Sequence, residues 1–146
     1  MSAGRKGRML ALATLALALS CFDNWMKFFM PTPTWALHQR STLWLIGCLA
    51  LLVAAAQLTR VPSTGVTIGA GFFAGGVLGN LISAGTDNMV VPNPLWLGTS
   101  GGGGVAYNPA DLFILAGNLI LMVALCDFVI RNRERLPRHQ IRIRVR

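Results

Sequence analysis

The chain has 146 residues, of which 53% are hydrophobic and only 12% are charged. Soluble domains carry about 25% charged residues, so this composition leaves too few polar side chains for a water-facing surface and also excludes a disordered chain. The net charge of +8 comes mainly from the two ends of the chain, which argues against a nucleic-acid-binding protein. We therefore expect a single membrane domain over residues 1–146.

Four apolar segments meet or approach the roughly 20 residues that a membrane-spanning helix needs. Prolines lie between the first and second segments and between the second and third, where helices are expected to end. The sequence thus predicts an all-α membrane protein, a four-transmembrane-helix bundle with helices at about residues 9–30, 43–58, 66–84 and 111–130.

The third predicted helix carries glycines at four-residue spacing, Gly71, Gly75 and Gly79. This spacing puts small residues on one helix face and lets a neighbouring backbone approach closely. We expect this face to pack inside the bundle.

Orientation follows from the distribution of Lys and Arg. With four spans, eleven of the thirteen basic residues fall on one side, and only Lys27 and Arg40 fall on the other. Cytoplasmic segments carry the excess of positive charge, so both termini are predicted to be cytoplasmic. Residues 131–146 then form a basic cytoplasmic tail suited to anionic membrane lipids rather than nucleic acid.

The segment from about residue 85 to residue 109 is rich in Gly, Pro and Asn and lies on the outer side. Long segments of this composition are typical of irregular loops with a functional role. We expect a mobile loop that covers a site.

The chain has only five acidic residues, and three of them fall in the outer half of the molecule. Asp23 lies inside the first span, with Lys27 one helical turn later, a spacing that suits an ion pair. Asp111 begins the fourth helix, where a carboxylate is either a helix cap or an active group, and the sequence leaves both open. Asp87 follows the third span.

Two carboxyl groups close together at a membrane surface indicate an aspartic hydrolase. They cannot both ionise cheaply, so one keeps its proton while the other activates water. Asp111 is one candidate, with Asp87 or Asp23 as its partner, although Lys27 would hold Asp23 ionised. No Cys/His cluster has metal-ligand spacing, so we predict no metal and no cofactor.

Three segments resemble motifs of the lipoprotein signal peptidase (signal peptidase II) family. The family patterns are Asp-Gln-x-x-Lys on the first helix, Gly-Gly-x-x-Gly-Asn on the third and Phe-Asn-x-Ala-Asp at the start of the fourth. The matching segments follow in the same order, at residues 23–27 (DNWMK), 75–80 (GGVLGN) and 107–111 (YNPAD).

This resemblance implies a fold and an activity. It implies four helices with a small extracytoplasmic element after helix one, in the inner (plasma) membrane of a bacterial cell. It implies an aspartic endopeptidase that removes signal peptides from prolipoproteins, with Asp111 as a catalytic residue. The other motif residues are then implied in substrate binding: Asp23, Lys27, Asn80 and Asn108.

The chain departs from the family at the second catalytic aspartate. An ungapped count places Pro92 there, and proline has no titratable group. Loss of one of two groups that act as a unit removes most of the catalysis. We therefore expect a catalytically impaired protein (a pseudoenzyme) that binds lipidated or membrane helices, such as a prolipoprotein, or a partner protein. The alternative is an active peptidase with a rearranged dyad, Asp111 and Asp87.

Overall fold

The computed structural model of the chain describes residues 2–99 and 103–134. Its helices are α1 (Ala3–Phe29), α2 (Thr42–Leu58), α3 (Thr64–Thr86) and α4 (Pro109–Asn132). Its strands are β1 (Leu37–Gln39), β2 (Val90–Pro92), β3 (Leu95–Thr99) and β4 (Gly103–Tyr107), and a short 3-10 turn at Thr34–Ala36 precedes β1.

Three of the described helices, α1, α3 and α4, are long and apolar enough to cross a membrane. The other apolar helix, α2, has 17 residues and is shorter than a typical span. The observed helices begin earlier than the sequence predicted, most clearly α1, which starts at Ala3 rather than near residue 9. Arg and Lys are good helix formers, so the basic segment before the apolar run continues the helix. The tail from residue 135 onward lies outside the described residues.

Helix α3 is the central element and packs against α1, α2 and α4. Its glycine face is confirmed, because Gly71 and Gly75 lie against Leu15 and Leu19 of α1. A small core joins three helices, formed by Leu12 and Ala16 of α1, Ala55 of α2, and Ala70 and Ala74 of α3.

The strands gather at the end of the bundle where α1 and α3 finish and α4 begins. Strand β1 pairs antiparallel with β2, with His38 opposite Val91, and β3 pairs antiparallel with β4, with Leu97 opposite Val105. The small element expected after helix one is therefore present as the 3-10 turn and β1, and it is completed by a strand that follows α3.

The mostly helical structure is consistent with the predicted all-α class, but one prediction needs correction. The segment 85–109 was expected to be an irregular loop, yet it contains β2, β3 and β4. The cause is pairing between distant segments, since β1 and β2 are about fifty residues apart in the chain. The hairpin formed by β3 and β4 was not predicted because its glycines interrupt the apolar alternation that marks a strand. Gly104 is needed in this hairpin, since a Cβ at that position would clash with the Leu97 carbonyl oxygen.

Candidate functional site

A buried ion pair lies at the strand-bearing end of α1. The Lys27 ammonium donates to Asp23 Oδ2 at 2.7 Å, and the two side chains are 4% and 0% exposed. The other carboxylate oxygen, Asp23 Oδ1, accepts from the backbone N–H of Ala110 at 2.8 Å. The ion pair predicted from the four-residue spacing is thus confirmed, and it also joins α1 to the first turn of α4.

Lys27 connects this pair to α3. Its nitrogen also donates to Asn80 Oδ1 at 2.9 Å and to Ser83 Oγ at 3.0 Å. An ammonium has three N–H donors and no acceptor, so Asp23, Asn80 and Ser83 satisfy it completely. This arrangement fits a charged, structural lysine rather than a catalytic base.

Asp111 lies in the first turn of α4 and forms a capping box with Asn108. Its backbone N–H donates to Asn108 Oδ1 at 3.0 Å, while its Oδ2 accepts from the Asn108 backbone N–H at 3.2 Å. Its Oδ1 accepts from Asn80 Nδ2 at 3.1 Å. The capping role that the sequence allowed is therefore present, and the half-buried carboxylate also meets the network around Lys27.

Three buried asparagines form a cluster beside Asp111. Asn108 Nδ2 donates to Asn93 Oδ1 at 2.6 Å and to Asn80 Oδ1 at 3.0 Å. Asn93 Nδ2 in turn donates to the Ala106 carbonyl at 3.3 Å and lies 3.2 Å from His38 Nδ1. Together these amides tie α3, α4 and both sheets into one polar unit.

Asn93 was missed at the sequence level. The sequence offered one indication that Asn93 belongs to the site. Asn93 follows Pro92, which occupies the position of the second catalytic aspartate in the resemblance to the signal peptidase II family. Pro92 itself contributes a carbonyl, which accepts from Asn108 Nδ2 at 3.4 Å.

Asp87 lies at the C-terminal end of α3 and is exposed. It borders a depression of about 330 Å³ that Lys27, Ser83 and Pro92 also line. Asp111 borders a different cavity. In the described part of the chain, the Asp87 carboxylate has neither a hydrogen bond nor an ion pair. The structure therefore does not bring Asp87 and Asp111 to one cavity, and their pairing stays a prediction.

The cavity beside Asp111, which we call the slot, has a volume of about 180 Å³ and lies between α2, α3 and α4. Its polar end is formed by Arg40, Asn80 and Asp111, next to the strands. Its walls are mostly apolar and come from one face of each helix: Trp44, Cys48 and Leu51 of α2, Phe73 and Val77 of α3, and Ile114 of α4. The slot is therefore amphiphilic.

Within residues 2–99 and 103–134, there is no group of three or more His, Cys, Asp or Glu side chains placed to hold a metal ion. The polar groups of this region are carboxylates, amides, the Lys27 ammonium, the Arg40 guanidinium, the Ser83 hydroxyl and the His38 imidazole.

Comparison with known proteins supports the fold. No family model and no curated protein matches the chain. A solved structure described as a bacterial membrane enzyme superposes with a TM-score of 0.63 over 89% of this chain and 93% of its own, at 14% sequence identity. Such low identity shows the fold alone. The chain is thus a membrane protein with the fold of a membrane-embedded enzyme.

Replacing Asn108 with alanine tests the asparagine cluster. It removes the α4 cap, which is worth about 1 kcal/mol, and leaves the buried Asn93 Oδ1 without its hydrogen-bond donor. We expect the free energy of unfolding in detergent to fall by about 2 kcal/mol. Ser41→Ala, which removes the exposed cap of α2, serves as the control with a loss of about 1 kcal/mol or less. Equal losses would show that the cluster adds nothing beyond capping.

Proposed function

We propose that this chain is a signal-peptidase-II-like protein of the bacterial inner membrane that binds lipidated or membrane helices in the slot without cleaving them. The proposal includes four spans with both termini in the cytoplasm, α2 being the shortest span. The observation that carries it is the surroundings of Asp111, whose hydrogen-bond partners are Asn80 and the backbone of Asn108 rather than a second carboxyl.

An aspartic hydrolase needs two carboxyl groups that share one proton. Within the described residues, the other carboxylate in the Asp111 network is Asp23, and the side-chain hydrogen bonds that connect the two pass through Lys27 and Asn80. Because the Lys27 ammonium contacts Asp23 directly, the charge of Asp23 is already paired. Asp23 therefore supports the architecture and does not supply the missing member of a dyad.

The slot supports the binding part of the proposal. Its apolar walls suit an acyl chain or an apolar helix side chain, while Arg40 and Asn80 offer hydrogen bonds at the polar end. Ligand sites of this kind combine apolar walls with a few placed polar groups. A lipidated peptide has both features, with its polar linkage next to its acyl chains.

Filling the slot tests this function. Leu51→Trp places an indole among the slot walls, so we expect a fluorescent diacylglyceryl peptide to bind the variant in nanodiscs at least about tenfold more weakly, the equivalent of about 1.4 kcal/mol. Leu49 lies on the same helix, is 51% exposed and does not line the slot. Leu49→Trp is therefore the matched control and should bind like the unmodified chain. Equal affinities of the two variants in fluorescence anisotropy would refute slot binding.

A further inference from the structure

Two opposite charges line the slot without pairing with each other. The ion pairs in the described residues are Asp23 with Lys27 and Asp127 with Arg131. Arg40 and Asp111 belong to neither, although both border the slot. The Asp23–Lys27 pair is neutral as a unit, so the slot presents one cation and one anion.

Arg40 is held in place and has hydrogen-bonding capacity to spare. Its guanidinium carbon lies 5.3 Å from the centre of the Trp44 ring, a cation–π arrangement that orients the side chain. Its Nε is shielded from solvent and has no hydrogen-bond acceptor among the described residues. A buried donor without an acceptor is costly, so an oxyanion bound beside Arg40 would be stabilised.

Asp111 complements Arg40. Each of its carboxylate oxygens accepts one hydrogen bond from the protein, from Asn80 and from the Asn108 backbone. An ionised carboxylate has about four lone-pair sites, so acceptor capacity is left on both oxygens. A primary ammonium, which carries N–H donors, can use these sites, whereas a trimethylammonium cannot.

We propose that the slot is a binding site for zwitterionic amphiphiles, in which Arg40 contacts a phosphate and Asp111 contacts a primary ammonium. The head group this describes is phosphoethanolamine, and the apolar walls formed by Leu51, Phe73 and Ile114 would receive the start of an acyl chain. The inference uses the same slot as the proposed function but does not depend on a peptide entering it.

The test measures lipid selectivity of the full chain in detergent, by quenching of tryptophan fluorescence with brominated-chain lipids of identical acyl composition. Phosphatidylethanolamine is expected to bind about tenfold or more tightly than phosphatidylcholine or phosphatidylglycerol, the scale of one hydrogen bond to a charged group. Equal affinities for the three lipids would overturn the proposal.

Substitutions at Arg40 and Asp111 separate the effects of the two charges. Arg40→Gln should weaken both phosphatidylethanolamine and phosphatidylglycerol about tenfold, while Arg40→Lys should keep part of the binding. Asp111→Asn should remove the preference for phosphatidylethanolamine over phosphatidylcholine and should strengthen phosphatidylglycerol, because it removes a like charge. Arg60→Gln changes an exposed arginine that does not line the slot and should change none of these affinities. Unchanged affinities for phosphatidylethanolamine and phosphatidylglycerol in Arg40→Gln, with an unchanged melting temperature, would contradict the site.

A lipidated peptide with a free amino terminus carries a primary ammonium, as phosphoethanolamine does. Its affinity is compared with that of the N-acetylated peptide, which lacks this charge. If the peptide depended on Arg40 and Asp111 while the phospholipids did not, the phospholipid would be the wrong ligand. Failure of both peptides to bind would count against the proposed function and leave the lipid result standing, so the two proposals fail separately.

Discussion

Replacing Lys27 with methionine is expected to lower the free energy of unfolding by about 3–5 kcal/mol, because it leaves the Asp23 carboxylate buried without its cation. Asp23 is fully buried, and Lys27 also donates to Asn80 and Ser83. The change therefore breaks the link between α1 and α3 as well as the ion pair. Unfolding in mixed micelles with increasing SDS, followed by tryptophan fluorescence, gives the measurement.

The chain supplies a matched control for this change. Arg131 and Asp127 have the same four-residue spacing and the same 2.7 Å separation, but their side chains are 76% and 53% exposed. Exposed pairs contribute about 1 kcal/mol or less, so Arg131→Met should have a small effect. The double variant Lys27→Met with Asp23→Asn should recover part of the loss, because no uncompensated charge stays buried. Similar losses in the free energy of unfolding for Lys27→Met and Arg131→Met would show that burial does not determine how much the Asp23–Lys27 pair contributes.

The second large effect is expected where α4 approaches α3. A Cβ added at Gly117 would lie 2.8 Å from Phe73 Cα and 2.9 Å from the Gly69 carbonyl oxygen, and still nearer to Phe73 N. These are backbone atoms, so the two helices must separate to accommodate a methyl group. Overpacking of this kind costs about 1–3 kcal/mol, and we expect Gly117→Ala to fall near the upper end.

Gly47 provides the comparison for Gly117. It lies in α2, and a Cβ there would have nothing within 4 Å. Alanine is a better helix former than glycine by about 1 kcal/mol, so Gly47→Ala should leave stability unchanged or raise it slightly. Both variants can be compared in the same SDS titration. A loss at Gly47 as large as that at Gly117 would show that helix contact is not the cause.

The sequence predicted the features that depend on local periodicity. Long apolar runs located the helices, and the four-residue spacings located both the Asp23–Lys27 pair and the Gly71–Gly75 face. The cap formed by Asp111 was one of the two roles that the sequence left open, the other being an active group. In each case the signal is a spacing or a residue type within one or two turns of a single helix.

The features that escaped prediction depend on contacts between distant segments. Strand β2 forms only because β1 lies beside it, and glycine-rich strands carry little apolar alternation for sequence patterns to detect. Asn93 becomes part of the polar cluster through Asn108 and His38. Arg40 was noticed only as an outer basic residue, because its place beside the slot follows from how α2 and α4 flank α3.

We propose that the slot beside Asp111 binds its ligand without hydrolysing it, and one experiment tests this directly. Purified protein and an equimolar amount of a diacylglyceryl prolipopeptide are incubated in nanodiscs for many hours, and the peptide is followed by mass spectrometry. We expect the peptide to stay intact while it co-purifies with the protein, and Asp111→Asn and Asp87→Asn to change nothing in the mass spectrum. Release of the signal peptide by the unmodified chain, abolished by each of the two substitutions, would refute binding without cleavage and establish Asp111 and Asp87 as a working dyad.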